Sequence, residues 1–183
     1  LKSDLALTET QHEVTKFKEA LRARGAKATG VVYFSGHSFG FQTENYLVGS
    51  GREERGSPIP GTLGIQGIEI GTVDRELADS GAAAVILFVD GCRNPNMLGA
   101  LGKVFAEGAV RGLSSSSRVL VAFSVQPGGF AKDGPDGSYF AEALAQEIRK
   151  PNRRYLQQMM KAVSDRVLEA SKGKMRPSYV ANV

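Results

Sequence analysis

Residues 31–37, V-V-Y-F-S-G-H, and residues 85–93, V-I-L-F-V-D-G-C-R, decide how this 183-residue chain folds. Each stretch is a run of apolar and β-branched residues, typical of a buried strand, that ends in a turn of small residues. One turn carries His37, and the other carries Cys92, the only cysteine of the chain. Because ligands of open α/β sheets bind beyond the carboxyl ends of parallel strands, the sequence predicts that these two side chains share one crevice.

The length of the chain suits a single domain with a core of its own and no need of disulfides. A single cysteine excludes an internal disulfide and a multi-cysteine metal site. No segment resembles a signal peptide or stays apolar for long enough to span a membrane. We therefore expect a reducing, cytoplasmic location and no membrane partner.

The charge of the chain is weakly basic, with 23 basic and 19 acidic side chains and a net charge of +4. The clearest basic cluster consists of Arg149, Lys150, Arg153 and Arg154. Aromatic residues do not alternate with these side chains, as they do on surfaces that bind single-stranded nucleic acid. We interpret the cluster as a solvated face and expect no nucleic-acid partner.

Helical and strand patterns alternate along the chain. Strand patterns cover residues 29–35, 46–48, 84–90 and 118–124. Helical patterns cover residues 9–24 with Thr8 as the cap, 72–79 with Thr72 as the cap, 138–148 and 152–171. Residues 36–70 indicate an irregular loop around the short strand, and the serines at 114–117 indicate a flexible connection. The alternation predicts a three-layer α/β fold with a mostly parallel central sheet flanked by helices.

Cys92 admits two interpretations. An unpaired cysteine often behaves as a small buried hydrophobe. Here, however, the residue follows the apolar run and lies among polar neighbours, which predicts exposure, and the adjacent cation of Arg93 favours a thiolate. If the His37 imidazole takes the thiol proton, the pair can attack a carbonyl group and protonate a leaving amine. We therefore predict a cysteine hydrolase.

A competing motif overlaps the first turn, because residues 36–40, G-H-S-F-G, match the G-x-S-x-G nucleophile elbow of the α/β-hydrolases. That fold needs a helix directly after the elbow and a catalytic histidine downstream of the serine. No histidine follows His37, and the residues after Gly40 favour a loop and a short strand. A serine hydrolase that uses Ser38 is the least favoured alternative.

Five motifs in this order resemble the caspase-like cysteine peptidases, and they are closer to metacaspases and their bacterial relatives than to animal caspases. The motifs are Y-F-S-G-H at 33–37, N-Y-L-V at 45–48, V-I-L-F-V-D-G-C-R-N at 85–94, F-S-V-Q-P-G-G with G-S-Y-F-A-E-A-L at 123–144, and R-P-S-Y-V at 176–180. His37 precedes Cys92 at about the caspase separation of roughly 50 residues. The resemblance covers most of residues 28–180.

The resemblance implies a role for each matching residue. Cys92 is the nucleophile and His37 its partner, and the backbone amides of Cys92 and Ser38 form the oxyanion hole. Asp90 and Ser35 help to form the primary specificity pocket, which predicts cleavage after Arg or Lys, because a carboxylate binds a cationic side chain. In an alternative interpretation, Asp90 instead caps the turn that holds Cys92.

Several features depart from the family pattern. Ser38 stands where the family usually has glycine, and Gly91 stands where alanine or serine is more usual. The first strand and helix of the family are not apparent, so we expect a preceding segment or a partner chain to supply them. No paired aspartates suggest the calcium site of many metacaspases. Only Glu53, Glu54 and Glu69 are available nearby, so we expect no cofactor and leave calcium dependence open.

The chain as a whole resembles one caspase-like domain, with residues 1–113 similar to the larger subunit and residues 118–183 to the smaller. Self-processing is expected in the flexible stretches, after Arg52, Arg55, Arg111 or Arg118. The leading hypothesis is an endopeptidase that acts on proteins or peptides with a basic residue before the cleaved bond. A non-catalytic caspase-like interaction module is the main alternative.

Overall fold

The computed structural model describes residues 1–41, 44–50, 67–93, 119–151 and 155–182. A 3-10 turn at Gly25–Lys27 follows the first helix. The helices are α1 (Leu7–Arg24), α2 (Ile70–Ala78), α3 (Tyr139–Ile148) and α4 (Leu156–Ala170). The strands are β1 (Thr29–Ser35), β2 (Ser38–Phe41), β3 (Glu44–Val48), β4 (Gly67–Glu69), β5 (Ala84–Asp90), β6 (Val119–Phe123), β7 (Asp133–Gly134), β8 (Gly137–Ser138) and β9 (Ser178–Asn182).

The main sheet has the strand order β1-β5-β6-β9 in the part of the chain that the structure describes. Strands β1, β5 and β6 are parallel, and β9 runs antiparallel to β6. The register of β1 with β5 ends at the pair Ser35 and Asp90, so both strands stop at the same edge of the sheet. The turns that follow, which carry His37 and Cys92, therefore start side by side, and the strands predicted at 29–35 and 84–90 are confirmed.

Apolar side chains cover both faces of the sheet. In β5, Val85, Leu87 and Val89 belong to a core shared with α1 and α2. Phe88 points to the opposite face, where it packs in a second core with α3 and α4. The predicted three-layer fold is confirmed. Because side chains alternate along a strand, Asp90 lies on the same face as Phe88.

A second, three-stranded antiparallel sheet formed by β2, β3 and β4 follows the first turn. The G-x-S-x-G motif runs into β2, and the next described element is the strand β3, where the α/β-hydrolase elbow needs a helix. The predicted caps are wrong. Helix α1 begins at Leu7 because Glu9 accepts a hydrogen bond from the Ala6 amide, and Thr72 lies inside α2, where it accepts one from Arg75. Tyr155 is extended, so α4 begins at Leu156 and not at 152.

Some predicted features fall outside the described residues. They include the flexible stretch at 114–117, the two glutamates at 53–54 and the four arginines of predicted self-cleavage, Arg52, Arg55, Arg111 and Arg118. Among the residues that are described, no helix combines the length and the apolar character needed to cross a membrane.

Candidate functional site

Two hydrogen bonds join the turn after β1 to the turn after β5. The Gly36 amide donates to the Asp90 carbonyl at 3.1 Å, and the Ser38 hydroxyl donates to the Cys92 carbonyl at 2.6 Å. His37 lies between Gly36 and Ser38, so its backbone is held beside that of Cys92. The His37 side chain is exposed and Cys92 is half-buried, which leaves both accessible to a ligand.

The backbone around Cys92 is fixed on several sides. The Gly91 amide donates to the Ser124 hydroxyl at 3.2 Å, and the Cys92 thiol lies 3.9 Å from the Ala131 carbonyl oxygen. Among the described residues, none accepts a hydrogen bond from the Cys92 amide. That amide is therefore free of protein acceptors in this part of the chain, as an oxyanion-hole donor has to be.

Gly91 lies where a side chain does not fit. A Cβ atom at this position would collide with the Ser38 hydroxyl oxygen and would lie 2.6 Å from the Gly36 carbonyl oxygen. Ser38 and Gly91 are thus in contact. The Ser38 side chain occupies space that a side chain at position 91 would need.

Arg93 is buried, with 4% of its surface accessible. Its guanidinium donates to Asn45 Oδ1 at 2.9 Å and to the Ser178 hydroxyl at 3.1 Å, and it lies over the Phe123 ring, 3.9 Å from the centroid. Burial lowers the pKa of Arg93 to about 10. The Arg93 side chain therefore packs inward, where its hydrogen bonds fix the turn after β5, and does not project into solvent.

The Asp90 carboxylate lies at the centre of a polar cluster and is almost fully buried. Its Oδ2 atom accepts hydrogen bonds from the Tyr33 hydroxyl, at 2.8 Å, and from the Ser138 hydroxyl. Among the described residues, none donates to Oδ1. Burial and the nearby Asp90 charge raise the pKa of Tyr33, so its hydroxyl stays a donor. Ser35, the register partner of Asp90, lies on the same face of β1 as Tyr33.

Ser138 connects this cluster to a helix. Its hydroxyl caps α3 by accepting from the amides of Phe140 and Ala141, and the same hydroxyl donates to Asp90. The N-terminus of α3 is a site of partial positive charge that stabilises a carboxylate nearby. Sequence reasoning missed Tyr33 and Ser138 as site residues. One signal was available for Tyr33. It lies two residues before Ser35, so the two side chains share a face of their strand, and Asp90 ends the neighbouring parallel strand.

The contacts of Asp90 and Ser38 bear on the alternative interpretations. The Asp90 carboxylate accepts hydrogen bonds from Tyr33 and Ser138, and no amide of its own turn donates to it among the described residues. Ser38 is buried, with 2% of its surface accessible, and its hydroxyl is committed to the Cys92 carbonyl. The geometry therefore argues against Ser38 as a nucleophile.

Of the three glutamates considered for calcium, Glu69 alone lies in the described part of the chain, where it forms an ion pair with Arg75 at 3.6 Å. The described residues contain no group of three or more His, Cys, Asp or Glu side chains that could hold a metal ion.

The fold and the adjoining turns with His37 and Cys92 define a caspase-like α/β protein. The sequence matches the family described as "Caspase domain" over residues 1–183, and the chain belongs to this family of cysteine peptidases. No curated protein matches the sequence significantly.

Solved structures share the fold at low sequence identity. Caspase-1 from Spodoptera frugiperda aligns with a TM-score of 0.57 and 15% identity, over 93% of this chain and 67% of that protein. Protein GSU0716 from Geobacter sulfurreducens aligns with a TM-score of 0.63 and 12% identity, over 96% of this chain and 73% of that protein. At these identities the likeness concerns the fold alone.

Proposed function

We propose that this protein is an endopeptidase of the metacaspase-like branch that uses a Cys92–His37 dyad and cleaves peptide bonds after Arg or Lys. The observation that carries the proposal is the joining of the two turns by hydrogen bonds from Gly36 and Ser38. It holds the only thiol and one of the two histidines of the chain on adjacent backbones beyond the ends of parallel strands.

In the proposed mechanism, the His37 imidazole takes the proton of the Cys92 thiol. The thiolate then attacks the carbonyl carbon of the substrate, and the amides of Cys92 and Ser38 bind the oxyanion that forms. The imidazolium gives its proton to the leaving amine, so the peptide bond breaks and an acyl-enzyme remains. A water molecule, deprotonated by His37, hydrolyses the thioester and restores the thiol.

The Asp90 cluster supplies the specificity for a basic residue. Tyr33 and Ser138 both bind Oδ2, so Oδ1 is left to accept a hydrogen bond from a cationic side chain of the substrate. Ser35 lies beside this carboxylate in the register of the sheet and serves as a further polar contact. A substrate with a neutral side chain would leave the buried Asp90 charge without a partner of opposite charge, which is costly. The carboxylate therefore favours a cationic side chain strongly.

Further parts of the proposal concern the chain as a whole. Residues 1–113 and 118–183 act as larger-subunit-like and smaller-subunit-like parts of one domain, and self-processing occurs between or within them. A preceding segment or a partner chain pairs with the outer edge of β1, where Val31 and Tyr33 are exposed.

The protein acts in the cytoplasm, where a nucleophilic thiol stays reduced. No cofactor is assigned to the reaction, calcium dependence stays open, and chelation of calcium during the assay tests it.

The test is hydrolysis of a peptide with Arg before the cleaved bond by the wild type and three variants. Cys92→Ala abolishes turnover, and His37→Ala lowers kcat by about 10²- to 10⁴-fold, the contribution of a general base. His12→Ala removes the other histidine, which is exposed on α1, and leaves the rate unchanged. Retained turnover in Cys92→Ala contradicts the dyad. A folded wild type without turnover, whose Cys92 resists iodoacetamide, supports the interaction module instead.

A further inference from the structure

We propose that Asp133 is a second specificity-determining carboxylate, which together with Asp90 binds the guanidinium of a substrate arginine and favours arginine over lysine. The inference rests on the proposed function and concerns the same pocket. Three observations support it: the register of the β7–β8 ribbon, the electrostatic coupling of Asp133 to Tyr33, and the contacts that fix the ribbon.

The ribbon places Asp133 beside the Asp90 cluster. Asp133 in β7 is the direct partner of Ser138 in β8. Side chains directly opposite each other on antiparallel strands lie on the same face, with Cβ atoms about 4.5–5.5 Å apart. Because the Ser138 hydroxyl donates to Asp90, the Asp133 side chain is on the face of the ribbon that is turned toward Asp90. Asp133 itself is exposed, so it lies at the rim of the cluster and Asp90 at its base.

The charge of Asp133 acts on the same group as the charge of Asp90. Both carboxylates contribute, after burial, to raising the pKa of Tyr33. In the described part of the chain, no lysine or arginine forms an ion pair with either carboxylate. Lys132 is adjacent in sequence but lies outside β7. Two negative charges thus converge near Tyr33 without a cation of their own among these residues.

Several contacts fix the ribbon in this position. A Cβ atom at Gly134 would lie 2.6 Å from the ring of Tyr139, so the glycine packs closely on the start of α3. On the other side, the Lys132 amide donates to the Met175 sulfur at 3.3 Å, and Met175 is fully buried. Ser138 belongs both to β8 and to the cap of α3. The position of Asp133 is therefore set by the fold before substrate binds.

The chemistry of the two basic residues gives the expected selectivity. A guanidinium is planar and carries five N–H donors, so it can bind Asp90 and Asp133 at the same time. An ammonium is a compact point charge that gains less from two separated acceptors. Because Asp133 is exposed, solvent and salt screen its share of the interaction, whereas the buried Asp90 is screened much less.

The test compares Asp133→Asn with Asp136→Asn, which removes the same charge from an exposed residue in the turn between β7 and β8. The wild type and each variant are assayed with matched peptides that carry arginine, lysine or the neutral arginine analogue citrulline before the scissile bond. In Asp133→Asn we expect kcat/KM to fall about tenfold for arginine, about threefold for lysine and not at all for citrulline, with smaller losses in 0.5 M salt, as screening predicts. Asp136→Asn stays within about twofold of the wild type for all three peptides, as expected of an exposed charge outside the pocket.

The outcomes distinguish a failure of the role proposed for Asp133 from a failure of the proposed peptidase function. If Asp133→Asn and Asp136→Asn have the same ratio of arginine to lysine cleavage, the role of Asp133 is overturned while the peptidase stands. An equal loss for all three peptides, or a lowered melting temperature that accounts for the loss, assigns Asp133 a structural role and also overturns it. A wild type that cleaves citrulline and arginine peptides equally overturns the basic specificity, and with it this inference.

Discussion

Ser38 and Gly91 are in contact where the turn after β1 meets the turn after β5. The Ser38 hydroxyl donates to the Cys92 carbonyl and fills the space that a side chain at Gly91 would need. A hydrogen bond of this kind contributes about 0.5–1.5 kcal/mol to stability. The two residues are thus coupled, and a change at one alters what the other tolerates.

A double-mutant cycle tests this coupling. Gly91→Ala alone forces the turns apart, and we expect it to lower kcat/KM for the arginine peptide at least tenfold. Ser38→Gly alone loses the hydrogen bond and destabilises by about 1 kcal/mol. The double variant recovers part of the activity lost in Gly91→Ala, because only the Gly36 carbonyl still opposes the new side chain. Strictly additive effects on activity and melting temperature contradict the coupling.

At the scale of elements, Arg93 connects the turn after β5 to three other parts of the fold. Its side chain reaches Asn45 in β3 and Ser178 in β9, and it lies over Phe123 at the end of β6. Its backbone also pairs with Gly128 and Gly129 in the loop after β6. Moving this buried guanidinium would leave its acceptors without a donor. Each buried acceptor left unpaired costs about 1–3 kcal/mol of folding stability, so the position of the Arg93 side chain is strongly constrained.

We expect Arg93→Lys to fold but to lose part of this network, because one ammonium cannot reproduce the fork of the guanidinium. Denaturant unfolding should give a free energy lower by about 1–3 kcal/mol. Alkylation of Cys92 by iodoacetamide should also change in rate, since the turn is less firmly placed. Arg149→Lys, an exposed arginine after α3, serves as the control and stays within about 0.5 kcal/mol of the wild type. Equal behaviour of the two variants contradicts the role of Arg93.

The three parallel strands of the main sheet were predictable from sequence, whereas the contacts that support Cys92 were not. The central run at 84–90 is apolar from Ala84 to Val89, because both faces of the sheet are covered at this strand. The burial of Arg93 depends on Asn45 and Ser178, which are distant in sequence and meet it only in the fold. The helix starts differ from the prediction: Thr8 and Thr72 are good capping residues, yet α1 begins at Leu7, where Glu9 accepts a hydrogen bond from the Ala6 amide, and Thr72 lies inside α2.

For the molecule as a whole, helices α3 and α4 are joined by an ion cluster on the sheet face that also carries Asp90. The Glu147 side chain is fully buried and binds Lys150 at 2.6 Å and Arg166 at 2.5 Å. The hydrogen bonds from Lys150 and Arg166 lower the pKa of Glu147 below its ordinary value of 4.5. A lowered carboxyl pKa stabilises the folded state above the ordinary value, and this stabilisation is lost as the pH falls through the lowered one.

Glu147→Gln should therefore unfold more easily than the wild type at pH 7, by about 1 kcal/mol, because both cationic partners are partly exposed. The difference should shrink as the pH falls from 4.5, the ordinary carboxyl value, through the lowered pKa, since the carboxyl is protonated first in the unfolded chain and then in the folded one. Asp165→Asn breaks an exposed pair with Lys161 and should change stability by less than about 0.5 kcal/mol. The measurement is the melting temperature of the wild type and of Glu147→Gln between pH 3 and 7. A difference between the two melting temperatures that stays constant over this range contradicts the role of the Glu147 charge.

The central claim is that Cys92, activated by His37, attacks a substrate bound through a basic side chain. The most direct measurement is covalent labelling with matched peptidyl acyloxymethyl ketones that end in arginine or aspartate, followed by mass spectrometry of the labelled peptide. The account predicts that the arginine reagent labels Cys92 alone, that the aspartate reagent reacts far more slowly, and that His37→Ala suppresses labelling. Labelling of another residue, equal reaction with both reagents, or undiminished labelling in His37→Ala would contradict it.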